Sequence, residues 1–211
     1  MYLPKHFEIT DVAPLHEFIR QHPFAALVTR SSEGLTANHI PFMLDPAPAP
    51  CGTLRGHVAR ANPIWRSTSD DDVLVIFQGP NAFVSPSWYP TKQKTGQVVP
   101  TWNYAVAHVH GRMIIHDDPA WVRSHVEALT LRHEETRATP WHVTDAPAEY
   151  IDRLVRAVVG IEIPVARVLG KWKVSQNRSD EDRRGVIVGL SAEHSSEATA
   201  VGELVKNAMQ R

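Results

Sequence analysis

The chain has 211 residues, with 22 basic and 23 acidic side chains, a formal net charge of −1 and 43% hydrophobic residues. This length fits one domain with a real core, and the near-neutral charge excludes a global field that would draw the protein to nucleic acid or membrane. The single cysteine, Cys51, excludes an internal disulfide and argues against a zinc finger. The first ten residues do not resemble a signal peptide and no apolar run is long enough to cross a bilayer, so we expect a cytoplasmic protein without a membrane partner.

The first two thirds of the chain read mostly as strands. A short helix over 11–21 comes first, and Pro23 stops it. Strands are predicted over 24–30, 35–44, 52–59, 72–79, 82–89, 101–115 and 161–174. The segment 61–71 is predicted to be a connection or one helical turn, and 91–97 a polar loop.

Helix signals dominate the rest. Helices are predicted over 119–137, 147–159, 179–190 and 196–209. The Asp-Pro pair at 118–119 is a helix start, and Gly160 is expected to end the second helix. Ser179 caps the third helix, and Ser195 or Ser196 caps the last. About seven strands joined mostly by short turns predict an α+β fold with an antiparallel closed or split barrel rather than a doubly wound sheet.

The segment 52–65, GTLRGHVARANPIW, has the composition of a phosphate site. Gly56 allows close approach of the backbone, and His57, Arg60 and Asn62 supply donors. Cations and several donors together are what a phosphate needs. The alternative is a strand end with ordinary surface polar residues.

Four aromatic side chains flank the polar loop at 91–97, with Trp88 and Tyr89 before it and Trp102 and Tyr104 after it. Aromatic rings near a pocket can stack on a flat heterocycle. The alternative is that these rings belong to the core or to a dimer interface.

Metal and nucleophile signals are weak. His108 and His110 share one face of a strand, and His39 or His57 could add a third ligand, but no nearby carboxylate or cysteine completes a site. We therefore favour polar or interface histidines and predict no metal site. Cys51 has no evident base and there is no Gly-x-Ser-x-Gly elbow, so no catalytic residue is predicted.

The stretch KWKVSQNRS at 171–179 concentrates positive charge at a strand end. Lys171 and Lys173 share one face of the strand and Trp172 takes the other. Two lysines on one face could neutralise a dianion, and 175–178 adds further donors. The alternative is a solvated edge strand on which lysines prevent aggregation.

Six segments carry a resemblance to a known family. They occur in the order MYLPKHF, NHIPF, GHVARANPIW, VLVIFQGPNAFVSPSWYP, VPTWNYAVAHVHG and KWKVSQNRS. Together they resemble the FMN-binding negative transcriptional regulators of the Pai type, the PaiB family, over nearly the whole chain to about residue 190.

The resemblance implies a split β-barrel of the flavin-reductase and pyridoxamine-phosphate-oxidase kind, forming a homodimer with FMN at the subunit interface. It implies one FMN-binding domain over 1–190, inserted helices included, with a C-terminal helix in 191–211 packed on it. It also implies a site. The implied contacts are His57, Arg60 and Asn62 for the FMN phosphate, Lys171, Lys173 and Gln176 closing over the cofactor, and Trp102 and Tyr104 beside the isoalloxazine.

The function that the resemblance implies is that of a flavin-dependent regulator or sensor. A flavin-dependent oxidoreductase or flavin reductase using NAD(P)H is the alternative, because one fold serves both, and haem binding is a third hypothesis. A DNA partner follows from the family name alone. The last helix carries Glu197 and Glu203 against Lys206 and Arg211, whereas a recognition helix should be rich in Arg, Lys, Asn or Gln near its start.

Overall fold

A computed structural model of the chain describes residues 1–48, 50–67 and 72–210. The strands are β1 (Glu8–Ile9), β2 (Phe24–Ser31), β3 (Gly34–Pro41), β4 (Met43–Asp45), β5 (Thr53–Ala59), β6 (Asp72–Val84), β7 (Thr101–Arg112), β8 (Ile114–His116) and β9 (Val158–Lys173). The helices are α1 (Val12–Gln21), α2 (Ile64–Ser67), α3 (Thr91–Thr95), α4 (Pro119–Glu134), α5 (Ala148–Arg156), α6 (Asp180–Ala192) and α7 (Ser196–Met209). Short 3-10 turns lie at Lys5–Phe7, Pro86–Trp88 and Val143–Asp145.

The described strands join in one sheet with the path β3-β2-β6-β7-β9-β5-β4, and β1 and β8 pair with β9 off this path. β2 is antiparallel to both β3 and β6, and β4 is antiparallel to β5. β9 is antiparallel to β1, β5 and β8. With 16 residues, β9 is long enough to take these partners at different points along its length.

The chain divides into two compact units. Unit 1 comprises Met1–Phe18, Gln78–His108 and Leu169–Arg211, and unit 2 comprises Ile19–Phe77 and Val109–Val168. Strands β6, β7 and β9 each have residues in both units.

The core of unit 1 lies where α6 and α7 pack together. Its buried members are Ala82, Val84, Tyr89, Val174, Val186, Leu190, Ala198, Val201 and Val205. Two glycines of α6 let Trp88 lie directly against the helix, because a Cβ atom at Gly185 would stand 2.0 Å from the Trp88 carbonyl oxygen and one at Gly189 2.2 Å from its ring. Because Ala198, Val201 and Val205 lie in α7, the last helix belongs to this core.

Unit 2 contains the β2–β3 hairpin and the helices α4 and α5. Ser31 pairs with Gly34 across a two-residue turn, and Gly34 has a φ of 115°, which favours glycine. The two helices and the 3-10 turn between them contribute a buried cluster of Val122, Val143, Ile151 and Val155.

The predicted helix starts are confirmed. The Asp118 side chain accepts the Ala120 N–H at 3.1 Å, with Pro119 in the first turn. Ser179 accepts the Asp182 N–H at 3.2 Å, and Ser195 accepts the Ala198 N–H at 3.4 Å. All three caps satisfy backbone donors that the helix itself leaves unpaired.

Two predicted strands over 72–79 and 82–89 are wrong, because β6 runs unbroken from Asp72 to Val84 and a 3-10 turn follows. The two predicted strands meet at Gly79-Pro80-Asn81, residue types that favour a turn. Pro80 has no N–H to leave unpaired, and the Asn81 N–H is taken by Glu197 of α7 at 3.0 Å. The strand therefore continues through a sequence that favours a turn.

Several other boundaries differ from prediction. The strand over 35–44 is broken at Phe42 and the one over 101–115 at Met113. With these two breaks, the joining of two predicted strands in β6 and the additional strand β1, nine strands are described instead of seven. The loop at 91–97 contains the short helix α3. Gly160 does not end α5, which stops at Arg156. It lies in β9, where a Cβ would stand 2.2 Å from the Trp121 ring.

The proposed single helical turn within 61–71 is present as α2, and residues 68–71 lie outside the described part of the chain. The domain boundary at residue 190 stays a prediction. Among the described residues, no helix combines the length and apolar character needed to cross a membrane.

Replacing Gly185 by alanine should destabilise the protein by roughly 1–3 kcal/mol, because the added methyl group meets a backbone oxygen that cannot rotate away. The matched control is Gly202→Ala in α7, where the nearest neighbouring atom is 3.8 Å from the new Cβ. That change should stabilise by up to about 1 kcal/mol through helix propensity. Urea unfolding of both variants measures the difference, and equal free energies of unfolding would contradict the tight packing of α6 on Trp88.

Candidate functional site

A small polar pocket lies in unit 1, where β9 ends and the chain turns into α6. It has a volume of about 80 Å³ and is lined by Tyr89, Val99, Thr101, Asn103, Lys173, Ser175, Asn177 and Arg178. These residues include two cations and neither an aspartate nor a glutamate. The lining therefore has the charge of a site for an anion.

The turn over 175–178 shapes one wall of this pocket. Ser175 has a φ of 66°, in the left-handed region that a residue with a side chain rarely adopts, and the Arg178 N–H bonds back to the Ser175 carbonyl at 3.0 Å. The buried Asn103 amide donates to the Ser175 hydroxyl at 2.9 Å. This buried hydrogen bond holds the strained turn in place.

Lys173 enters the pocket from the end of β9. Its Nζ donates to the Thr101 hydroxyl and, at 2.5 Å, to the Trp102 carbonyl. No ion pair joins it to a carboxylate of the described residues. Burial, and then the positive charges of Lys171 and Arg178, lower the pKa of the Lys173 amine below its ordinary value.

Arg178 closes the pocket from the turn. Its guanidinium lies 5.1 Å from the centre of the Tyr89 ring, a cation–π contact. Tyr89 is 2% exposed, and burial raises the pKa of its hydroxyl. The same tyrosine is part of the core of unit 1, so the pocket stands directly on that core.

The predicted alternation along β9 is confirmed. Trp172 lies on one face, where its ring meets Phe18 edge-on at 5.1 Å. Lys171 is buried, and its Nζ lies 5.4 Å from the Tyr104 ring and donates to the Tyr2 carbonyl at 3.1 Å. Lys171 is outside the lining set of the pocket but close enough to influence Lys173.

Gln176 and Trp102, two further residues expected at the site, have different environments. The Gln176 side chain accepts the Val174 N–H at 2.8 Å and donates to the Trp172 carbonyl at 2.7 Å, so it ties the turn to its own strand. Trp102 is 53% exposed, with its ring edge-on to Phe83 at 6.2 Å. Trp102 can therefore meet a ligand or a partner, whereas the Gln176 amide is already used.

The three residues expected to contact the FMN phosphate, His57, Arg60 and Asn62, lie in unit 2, and each has a protein partner. Arg60 pairs with Asp117 at 2.5 Å and donates to two backbone carbonyls, those of Arg156 and Val158. The hydrogen bond from Arg60 lowers the pKa of the Asp117 carboxyl. Asn62 donates to the Asn38 side chain at 2.7 Å and caps α2.

His57 belongs to a stack of rings in unit 2. Its Nδ1 lies 3.2 Å from the Nε2 of His125, and His125 packs against Trp121, which lies flat on His116 at 4.2 Å. Burial, followed by the charges of His57 and Arg55, lowers the pKa of His125 to about 4. Burial also lowers the pKa of His57, so this pair is neutral near pH 7.

Histidines give no metal centre among the described residues, where no group of three or more His, Cys, Asp or Glu side chains is placed to hold an ion. Burial, and then the charge of Arg167, lower the pKa of His110. Sequence reasoning missed Asn103 and His125, because their partners Ser175 and His57 lie far away along the chain.

The comparisons with known proteins agree on one family. The family model described as "Putative FMN-binding domain" matches residues 1–167. The chain is 31% identical to "Protease synthase and sporulation protein PAI 2" of Bacillus subtilis, over 100% of this chain and 99% of that protein. It is 32% identical to an uncharacterized protein of Aspergillus fumigatus, over 98% of this chain and 97% of the relative. The pocket turn lies beyond the family model but within both relatives' alignments.

Two solved structures share the fold. The flavocytochrome Anf3 from Azotobacter vinelandii has a TM-score of 0.60 at 12% identity, covering 87% of this chain and 78% of its own. The FAD and heme binding protein from Mycobacterium smegmatis has a TM-score of 0.59 at 15% identity, covering 83% and 78%. At these identities the likeness shows the fold alone. The predicted fold class, an α+β antiparallel split β-barrel with peripheral helices, is confirmed.

The buried histidine pair predicts a loss of stability in acid. The unfolded chain takes up a proton on His125 near pH 6.5, whereas the folded protein does so only near pH 4, so stability falls as the pH drops from 6.5 to 4. The loss is on the order of 3 kcal/mol at most. Urea unfolding across this range measures it, and His125→Gln should flatten the slope. An unchanged slope in the variant would assign the acid sensitivity to other groups.

Proposed function

The chain belongs to the PaiB-type family of FMN-binding split-barrel proteins, and from this premise we propose that it is a flavin-dependent regulator or sensor that binds FMN with its phosphate in the pocket of Lys173 and Arg178. The observation that carries the proposal is the charge of that pocket, which has two cations and no acidic residue in its lining. A phosphate needs such cations with neutral donors around them. Thr101, Asn103, Ser175 and Asn177 are neutral lining residues that offer hydroxyl and amide donors.

The dimensions of the pocket fit the phosphate rather than the whole cofactor. A volume of about 80 Å³ holds several water-sized groups, whereas sites that enclose a drug-sized ligand measure roughly 300–1,000 Å³. The ring system of FMN would therefore lie outside the pocket. When bound, FMN supplies reversible electron transfer and a visible absorption band.

Exposed apolar side chains next to the pocket support a homodimer with the cofactor at its interface. Val99 lines the pocket and is 63% exposed, and the edge-to-face pair of Phe83 and Trp102 lies on the strands beside it. In this proposal Trp102 lies beside the isoalloxazine, and Tyr104 supports the site through Lys171. A second copy would cover the apolar side chains that one copy leaves in solvent.

This proposal prefers the Lys173 pocket to the 56–65 segment as the site of the phosphate. The Arg60 guanidinium and the Asn62 amide are held by protein groups, and a Cβ at Gly56 would stand only 3.1 Å from the Phe42 and Ile40 side chains. His57 pairs with His125. A ligand at 56–65 would have to displace the ion pair of Arg60 with Asp117, whereas Lys173 has no ion pair to a carboxylate among the described residues.

The regulatory part of the proposal is supported by the name of the B. subtilis relative. Direct reading of DNA by α7 is not part of it. Its Glu197 is bonded to the Asn81 N–H and its Lys206 pairs with Glu203 at 3.5 Å. Regulation through a protein partner or through metabolism fits these residues better.

Arg178→Ala should weaken FMN binding by roughly tenfold to a hundredfold, because a charge-assisted hydrogen bond to the phosphate is lost. Quenching of flavin fluorescence during titration measures the affinity. The matched control is Arg184→Ala, which removes the same charge from an exposed position outside the pocket lining. Equal affinity of the Arg178 variant and wild type would move the phosphate away from this pocket, and Arg60→Ala then tests the 56–65 segment.

The visible spectrum separates the regulator from its alternatives. The FMN-loaded protein is expected to keep its flavin band when NADH or NADPH is added, because a sensor does not need a nicotinamide site. Bleaching of the band with turnover would instead assign a flavin-dependent oxidoreductase. A Soret band after addition of haem, without uptake of FMN, would assign a haem protein.

A further inference from the structure

Lys173 differs from the exposed lysines Lys94 and Lys206 in its chemical setting. Lys94 and Lys206 are exposed and paired with glutamates, at 2.5 Å to Glu181 and 3.5 Å to Glu203. Lys173 is half-buried, lines a pocket and has two neutral oxygen partners. The structure thus separates one lysine from the ordinary surface set.

The two partners of Lys173 suit a neutral amine. A neutral amine has two N–H groups and one lone pair, and the Thr101 hydroxyl and the Trp102 carbonyl can accept both N–H groups. In that form one lone pair remains for a bond to an electrophile. Burial and the charges of Lys171 and Arg178 lower the pKa of the Lys173 amine, so this amine is neutral for a larger fraction of the time than an ordinary lysine, and the neutral form is the nucleophile.

The same pocket offers a place for a phosphate beside that amine. Arg178 supplies a fixed charge, and Asn103, Ser175 and Asn177 supply neutral donors. At about 80 Å³ the pocket suits a small phosphorylated molecule rather than a nucleotide. A small acyl phosphate would bring an electrophilic carbon and a phosphate to one place.

We propose that Lys173 is a modification site that takes an acyl group from small acyl phosphates bound in this pocket. The Lys173 nitrogen forms a bond to the acyl carbon, and the bond from that carbon to the phosphate oxygen breaks with its electron pair going to the phosphate. The proton lost by the nitrogen goes to the released phosphate or to water. The products are an amide on Lys173 and inorganic phosphate, so no further reactant is needed.

Acylation of Lys173 has a direct consequence for anion binding. It removes one of the two cations in the pocket lining and fills part of the volume. The modified protein therefore binds FMN more weakly. This inference rests on the proposed function only in that both place a phosphate in the same pocket.

The test uses the full chain without added cofactor, with acetyl phosphate as the probe. Mass spectrometry of peptides follows acetylation at Lys173, with Lys94 and Lys206 as internal references. We expect Lys173 to react roughly tenfold faster than either reference, because its pKa is lowered by burial and the pocket holds the phosphate of the reagent beside it. Inorganic phosphate should slow the reaction at Lys173 only.

The N-hydroxysuccinimide ester of acetate is an uncharged acetylating reagent without a phosphate. It shows whether Lys173 reacts faster because the pocket binds the phosphate of the reagent or because the amine itself is more reactive. With it, the preference for Lys173 should shrink and inorganic phosphate should have no effect. Arg178→Ala should remove the preference with acetyl phosphate, and Arg184→Ala should keep it. Reaction at Lys173 no faster than at Lys206, or no protection by inorganic phosphate in the unmodified sequence, overturns the inference even if the Arg178 variant does not fold.

A parallel FMN titration distinguishes the two proposals. Selective, phosphate-blocked acetylation without FMN binding would support the modification site and refute the proposed cofactor. FMN binding without selective acetylation would support the proposed cofactor and refute the modification site. Protection of Lys173 by FMN would place both ligands in one pocket.

Discussion

The alternation of side chains along β9 is the constraint on which two sets of charged groups depend. These are the lysines at the end of the strand and the ion pair of Arg55 with Glu162 near its start. In a strand, residues two apart share a face, so a shift of one residue would exchange the two faces completely. Lys171 and Lys173 point one way, and Trp172 packs behind them against Phe18. Nearer its start, the same strand places Glu162 opposite Arg55 of β5, where the two side chains form an ion pair at 3.0 Å. Pairing with β1 in unit 1 and with β5 and β8 in unit 2 fixes that register.

The fold holds cationic groups that repel one another, Lys173 and Arg178, in one pocket. Two cations stand close enough for one to influence the other, and burial adds to the cost of charging Lys173. The protein meets this cost with neutral oxygens and an aromatic face rather than with carboxylates. A carboxylate would have stabilised the lysine but would also have closed the site to anions. An anion from solution is then the natural partner for these charges.

Local signals explain what could be predicted from the sequence. The caps at Asp118, Ser179 and Ser195 depend on residues two or three positions away, and each was found. The continuity of β6 was missed because the N–H of Asn81 is satisfied by Glu197, 116 positions along the chain. The two faces of β9 could be predicted because side chains along a strand alternate between faces with a period of two residues.

The groups that complete each cluster could not be found in this way. Lys173 and the turn of 175–178 stand in one short motif, but Asn103 reaches Ser175 across 72 positions and His125 reaches His57 across 68. Arg60 was read correctly as a strong donor, yet its acceptors, Asp117 and two carbonyls, come from later segments. A single sequence shows which groups need partners and leaves open which groups become those partners.

Tyr89 is shared between the core of unit 1 and the wall of the pocket. Its ring therefore belongs to the same buried cluster as Val186, Leu190 and Val201, and it also carries Arg178 at the pocket. Natural selection acting on ligand affinity would then extend to α7, a helix none of whose residues lines the pocket. Evolutionary change in the apolar face of that helix should be slower than its place at the end of the chain suggests, and paired with compensating change in α6.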